Sequence, residues 1–112
     1  MTKTFKQFLI ESKEIIAYHG SSVPIKKFDI KFFSPEGGFW FSKDIDKIES
    51  GAVDTKFIIK VKLTVDKTAG WNEYDKLLTD QILDLGYDSI QLDDDWIIFN
   101  PKRIKIVDII KN

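Results

Sequence analysis

The sequence predicts a single α+β domain, and three observations carry that reading. Residues 56 to 65 alternate. Phe57, Ile59, Val61, Leu63 and Val65 fall on one face, mostly Lys and Thr on the other, with Ile58 the exception. That is the period of a half-buried strand. Residues 71 to 85 carry Leu77, Leu78, Ile82 and Leu85 as the buried stripe of a helix. Finally, 112 residues that are 43% hydrophobic, with nine Phe, three Trp and three Tyr, fill one core and no more.

The other elements follow in chain order. Phe5, Phe8 and Leu9 sit at i, i+3 and i+4 behind Thr4, a helix cap, so residues 1–14 predict a short amphipathic helix. Residues 15–112 then form the domain. Ile15 to Tyr18 reads as a strand running into His19, where Gly20, Ser21 and Ser22 stop it. Val23 to Phe33 reads as a loop or one helical turn, and Ser34 to Gly38 as a turn. Gly38-Phe39-Trp40-Phe41-Ser42 is a short aromatic strand. Ser42 caps a helix over residues 43–49 that Gly51 ends. After the helix at 71–85 comes Gly86 as its cap. Residues 88–92 and 96–99 are strands around an acidic turn, and 104–110 is a last strand after Asn100-Pro101. The sum is five or six short strands and two or three helices.

Composition narrows the function classes. Net charge is −1, from 17 basic and 18 acidic residues. A chain that binds nucleic acid by neutralising phosphate is usually strongly basic, so that class drops, although a basic patch on a balanced surface stays open. No cysteine is present, which removes disulfides and thiolate metal sites. One histidine removes multi-histidine zinc sites. The longest apolar runs are a few residues, far below a membrane span, so no membrane partner is expected.

Three places combine reactive groups with strand ends. Tyr18-His19-Gly20-Ser21 leaves an imidazole and bare backbone amides at a strand terminus, where glycine lets a ligand approach closely. The plainer reading is a capped surface turn with a satisfied histidine. At Gly38–Ser42, three consecutive aromatics cannot share one face, so Trp40 points opposite to Phe39 and Phe41. It then walls a pocket, covers a second small core or contacts a partner. In Asp93-Asp94-Asp95-Trp96, three adjacent carboxylates repel, and on an extended backbone Asp93 and Asp95 share a face. A divalent metal is the alternative, but no matching ligand set appears elsewhere and no metal is expected. A solvated turn is the plainer reading.

Order and spacing join these pieces: Tyr18–Ser21, Gly38–Ser42 entering a helix, Leu85–Ile90, Asp95–Pro101, then Arg103–Ile106. Together they resemble the ADP-ribosyltransferase superfamily, nearest its poly(ADP-ribose) polymerase-like and diphtheria-toxin-like branch in small phage-type versions. The resemblance spans roughly residues 15–109. It implies a split β-sandwich that clamps NAD in a bent conformation, with NAD as substrate. It implies that His19 bonds the adenosine ribose, that the Gly20 backbone holds the nicotinamide amide, and that Ser21 and Tyr18 flank the site. Trp40 and Phe41 would line the nicotinamide side, and Ser42 would support the ribose. Asp95 stands where the family has its catalytic acid, and Asp93 would face the acceptor. The acceptor, in this reading, is a host protein, a nucleic acid or a small molecule.

Two departures matter. The family's acid is usually Glu, one methylene longer than Asp95. The helix after Ser42 lacks the usual nicotinamide-stacking Tyr near Ser50-Gly51, which Trp40 or Tyr74 would have to replace. They support the alternative of a degenerate fold that inhibits a host factor by binding.

The segment from Met1 to Glu11 also resembles the capsid-targeting propeptide of internal head proteins in T-even-type phages, which is cut after a Leu-or-Ile-x-Glu triplet. Leu9-Ile10-Glu11 fits. The implication is packaging in a phage head and delivery to the bacterial cytoplasm. The plainer reading is a docking helix.

Overall fold

The computed structural model describes residues 12–29, 38–51 and 55–112. Of the helix expected over residues 1–14, residues 1–11 lie outside them, while Lys13 and Glu14 open a strand; of the loop expected at 23–33 and the turn at 34–38, residues 30–37 also lie outside. The described chain is α+β: one mixed sheet of seven strands with three short helices. The strands are β1 (Lys13–Ser21), β2 (Phe39–Ser42), β3 (Phe57–Val65), β4 (Thr68–Ala69), β5 (Ser89–Leu92), β6 (Asp95–Ile98) and β7 (Ile104–Lys111). The helices are α1 (Ile45–Gly51), α2 (Trp71–Lys76) and α3 (Thr79–Asp84). Strand order is β4-β5-β6-β2-β1-β3-β7.

All neighbours are antiparallel except β4 and β5, whose parallel pairing is bridged by α2 and α3. β4 is the strand that the sequence reading missed, because two residues carry no period. β1 is longer than expected. It starts at Lys13, opposite Val65, and continues through Gly20 to Ser21, opposite Phe57. The β3 partner supplies a hydrogen-bonding edge along that whole length, so neither Glu14 nor Gly20 ends the strand.

The predicted alternation of β3 holds. Ile59, Val61 and Leu63 are fully buried, each contributing about 1.5–3 kcal/mol through burial. Ile58, the exception, is buried on the opposite face, paired with Gly20. β7 shows why its pattern looked irregular. Lys60 pairs with Asp108 and Val61 with Ile106, so Val107 bulges out and is exposed.

Residues 71–85 are two helices, not one. The chain extends at Leu77 (ψ 150°) and Leu78 (ψ 159°). Two local bonds favour the break. Glu73 Oε1 accepts from Gly70 N at 2.7 Å, and Gln81 Oε1 accepts from Leu78 N at 2.8 Å. Each is a helix start with Glu or Gln at the third position. Of the expected stripe only Ile82 is buried, Leu77 is half-buried, and Leu78 and Leu85 are exposed. Gly86 follows α3 at φ +92°, as expected of its cap.

Two apolar clusters sit on the sheet's two faces. The larger joins Ala17, Ile59, Val61 and Leu63 to Phe39, Phe41, Trp96 and Ile98, with Phe28 from the β1–β2 connection packed in. The smaller gathers Ala69, Ile82, Ile90, Leu92 and Ile97, with Trp40 and Tyr74 against it. Trp40 thus faces away from Phe39 and Phe41 and covers the second core.

Gly38 enters β2 at φ +111°, and a Cβ there would meet Ile97 Cγ2 at 2.8 Å. Gly38→Ala is expected to lower stability by about 1–3 kcal/mol, read as a lower midpoint in urea denaturation. An unchanged midpoint would contradict this description of the β2 entry.

Candidate functional site

The centre of the sheet holds most of the residues singled out from the sequence. β1 and β2 pair at one position only, Tyr18 opposite Ser42. Ser42 in turn pairs with Asp95 on β6. Tyr18, Ser42 and Asp95 therefore form one rung across three adjacent strands, and cross-strand partners share a face.

His19 occupies the place where the β1–β2 ladder gives out. Its Nδ1 lies 2.8 Å from the Trp40 carbonyl oxygen. A carbonyl only accepts, so Nδ1 carries the proton and the neutral ring keeps its lone pair on Nε2. Phe28 meets the ring edge-on at 5.5 Å and Phe41 lies tilted at 5.6 Å. Burial holds the imidazole pKa below its ordinary 6.5, and the bond to the Trp40 carbonyl acts in the other direction. His19 and Ser21 line a cavity of about 270 Å³ together with Val23 and Ile25. The Ser21 hydroxyl accepts from Val23 N at 3.2 Å, which folds the chain back over that cavity.

Gly20 is not bare on its side-chain side. A Cβ there would meet Thr55 Oγ1 at 3.0 Å and Ile48 Cγ2 at 3.1 Å, so α1 and Thr55, two residues ahead of β3, take up that space. Phe41 is 2% exposed and belongs to the larger core. Ser42 is equally buried, and its hydroxyl accepts from Asp44 N at 3.1 Å. The helix cap is Asp44, whose carboxylate accepts from Asp46 N and Lys47 N, not Ser42 as expected.

The acidic turn departs from its expected geometry. Asp93 has φ +61°, a left-handed turn residue, so the backbone between Asp93 and Asp95 is not extended and alternation does not align the two. The Asp94 carbonyl accepts from Lys43 N at 2.9 Å and ties the turn to the end of β2. Asp95 starts β6 and is held by Lys47 of α1, with Nζ 3.0 Å from Oδ1 and 3.1 Å from Oδ2. That contact, a hydrogen bond plus attraction, raises the Lys47 pKa. Trp96, next in the chain, is buried, and among the described residues its Nε1–H has no hydrogen-bond partner.

The structure thus brings Ser42, Asp95 and Trp40 to one face and His19 with Ser21 to the other, the two groups meeting at the β1–β2 junction. Tyr74 packs beside Trp40's core and stacks edge-on with Trp71 at 5.9 Å. Lys47 was not singled out from the sequence. Its signal was available: one turn into the helix after Ser42 is the position that reaches Ser42's strand partner. Compared with protein-family models, with curated proteins and with solved structures, the chain has no match in any of the three.

The sign of the pH effect follows from His19. Its folded pKa lies below 6.5, so just under that pH the unfolded chain binds the proton and the folded chain does not. Stability contributed by the neutral ring is full above pH 6.5 and falls as pH drops toward the folded value. Denaturation midpoints are expected to decline from pH 7 to pH 5, and the decline to shrink in His19→Asn, whose amide can still donate to Trp40. An identical decline in the variant would contradict the buried, neutral ring.

Proposed function

We propose that the chain is a small mono-ADP-ribosyltransferase with the split β-sandwich of that superfamily, holding NAD as substrate where β1 and β2 part. What supports the reading is the junction itself. Ser42 and Asp95 on one face and His19 on the other come from three neighbouring strands and flank the place where the ladder is reduced to one pair. In this reading His19 offers Nε2 to the adenosine ribose and half-buried Trp40 flanks the nicotinamide side, while Phe41, packed in the larger core, only supports the His19 ring. The bond between nicotinamide nitrogen and ribose C1′ breaks, and its electron pair leaves with nicotinamide, which thereby loses its positive charge. The ribose becomes oxocarbenium-like, and the Asp95 carboxylate stabilises that charge. A nucleophile of the acceptor bonds C1′ and releases its proton, with Asp93 on the acceptor side. The acceptor is a macromolecule of a bacterial host. The resemblance at Leu9-Ile10-Glu11 supports a phage protein delivered from the head into the host cytoplasm, where residues 1–11 would already be removed.

A second reading rests on one observation. Lys47 sits against both oxygens of Asp95, and Asp is a methylene shorter than the family's acid. A carboxylate neutralised in this way suits a fold that binds a host factor without turnover.

The test is incubation with adenylate-labelled NAD, with and without bacterial lysate, following nicotinamide release and label by mass spectrometry. Release that drops about a hundredfold or more in Asp95→Ala is the expected result, with circular dichroism unchanged. Lys47→Ala, which frees the carboxylate, is expected to be at least as active as the parent. Equal release by Asp95→Ala would overturn the transferase reading. No release by the folded parent, with a stoichiometric captured partner of unchanged mass, would establish the second reading.

A further inference from the structure

The segment after β1 and the turn before β7 enclose a cavity of about 470 Å³. Four lysines line it: Lys26, Lys27, Lys102 and Lys105. Its apolar side is formed by Phe28, Ile104 and Ile106. A second cavity of about 370 Å³ shares Lys27, Pro101 and Lys102 with the first and prolongs it toward Asn100. Together they make a continuous groove of the size that ligand sites have.

The groove wall is rigidly built. Asn100 Oδ1 accepts from Lys102 N at 3.0 Å and shapes the 3-10 turn Pro101–Arg103. Arg103 pins that turn by donating to the Thr64 carbonyl at 3.1 Å and to Asp66 at 3.2 Å. Arg103 also lies 3.6 Å from Asp88. The neighbouring lysines have no such partners. Among the described residues, ion pairs engage Lys47, Lys62 and Arg103, and none of the four groove lysines. Among the described lining residues Asp29 is the one that carries a carboxylate, and it lines the second cavity. A chain of net charge −1 thus gathers around one groove four cations that, among the described residues, form no ion pair. Like charges held together repel, and an anion relieves that repulsion.

We propose that this groove binds the phosphate backbone of a single-stranded nucleic acid. Lysine offers a point charge to phosphate, not the planar fork that reads a base edge, so binding is insensitive to sequence. Four lysines spread over two adjoining cavities suit successive phosphates better than one. Half-buried Ile104 and Ile106 offer apolar contact to unpaired bases, while Phe28, 5% exposed, is turned into the core. A concave groove admits a single strand, whereas a duplex needs a broader surface. The lysines touch neither Asp95 nor His19, so the proposal stands apart from the transferase reading.

Fluorescence anisotropy of the full chain with labelled single-stranded DNA and RNA of about 12 nucleotides tests it, from ~50 to ~200 mM salt. Saturable binding is expected, with a log–log salt slope of about −2 to −3 for three or four neutralised phosphates. Lys26→Gln/Lys27→Gln/Lys102→Gln is expected to weaken it about tenfold or more, and Lys76→Gln on α2 to leave it unchanged. Should the triple variant lose its folded circular dichroism, Lys102→Gln alone is expected to weaken binding severalfold. Three results would overturn the proposal: no saturable binding by the parent at low salt, parental affinity in the folded lysine variant, or displacement of the strand by an equal concentration of a free nucleoside triphosphate.

Discussion

The bond from His19 Nδ1 to the Trp40 carbonyl stands where the backbone ladder between β1 and β2 gives out. Strands on one side of the junction are long and fully paired, as β1 and β3 are over nine positions. Those on the other side are four residues or fewer. Between them the sheet has one residue pair and one imidazole. Phe28 and Phe41 pack around that imidazole, so the core and the junction share a side chain. Removing the ring would take from the Trp40 carbonyl the bond donated by Nδ1, a loss of about 0.5–1.5 kcal/mol. Burial that keeps the ring neutral also keeps Nε2 a lone-pair acceptor, the form a ribose hydroxyl would meet.

Around that junction the polar groups divide by face. Asp95 lies on Ser42's rung and is neutralised by Lys47, while His19 lies one residue along on the other face. The arrangement brings an acid and an imidazole to the same break in the sheet without placing them in contact. Lys47 is exposed and screened, so its hold on Asp95 is weak.

Legibility in the sequence followed the strength of the periodic signal. β3 was readable because five apolar residues alternate against Lys and Thr, and Trp40's orientation because aromatics on a strand must alternate faces. The α2–α3 break was hidden, since Leu77, Leu78, Ile82 and Leu85 mimic one amphipathic stripe. The capping side chains Glu73 and Gln81 override it with local bonds. β4 was invisible at two residues. In the site, Ser42 and Asp95 were each nameable, but their pairing required the strand order, which no local pattern encodes. Asp93's left-handed backbone similarly depends on the tightness of the β5–β6 connection. The lysine groove joins residues from distant parts of the chain, so composition showed only that a patch was possible.

One measurement addresses the junction directly. The chain has a single histidine, so a two-dimensional ¹H–¹⁵N spectrum of its imidazole contains one ring system without ambiguity. At pH 7 the account predicts a neutral ring with a protonated Nδ1 and a pyridine-type Nε2, with the Nε2 shift moving when NAD is added. A ring protonated on Nε2, or an imidazolium at that pH, would contradict it.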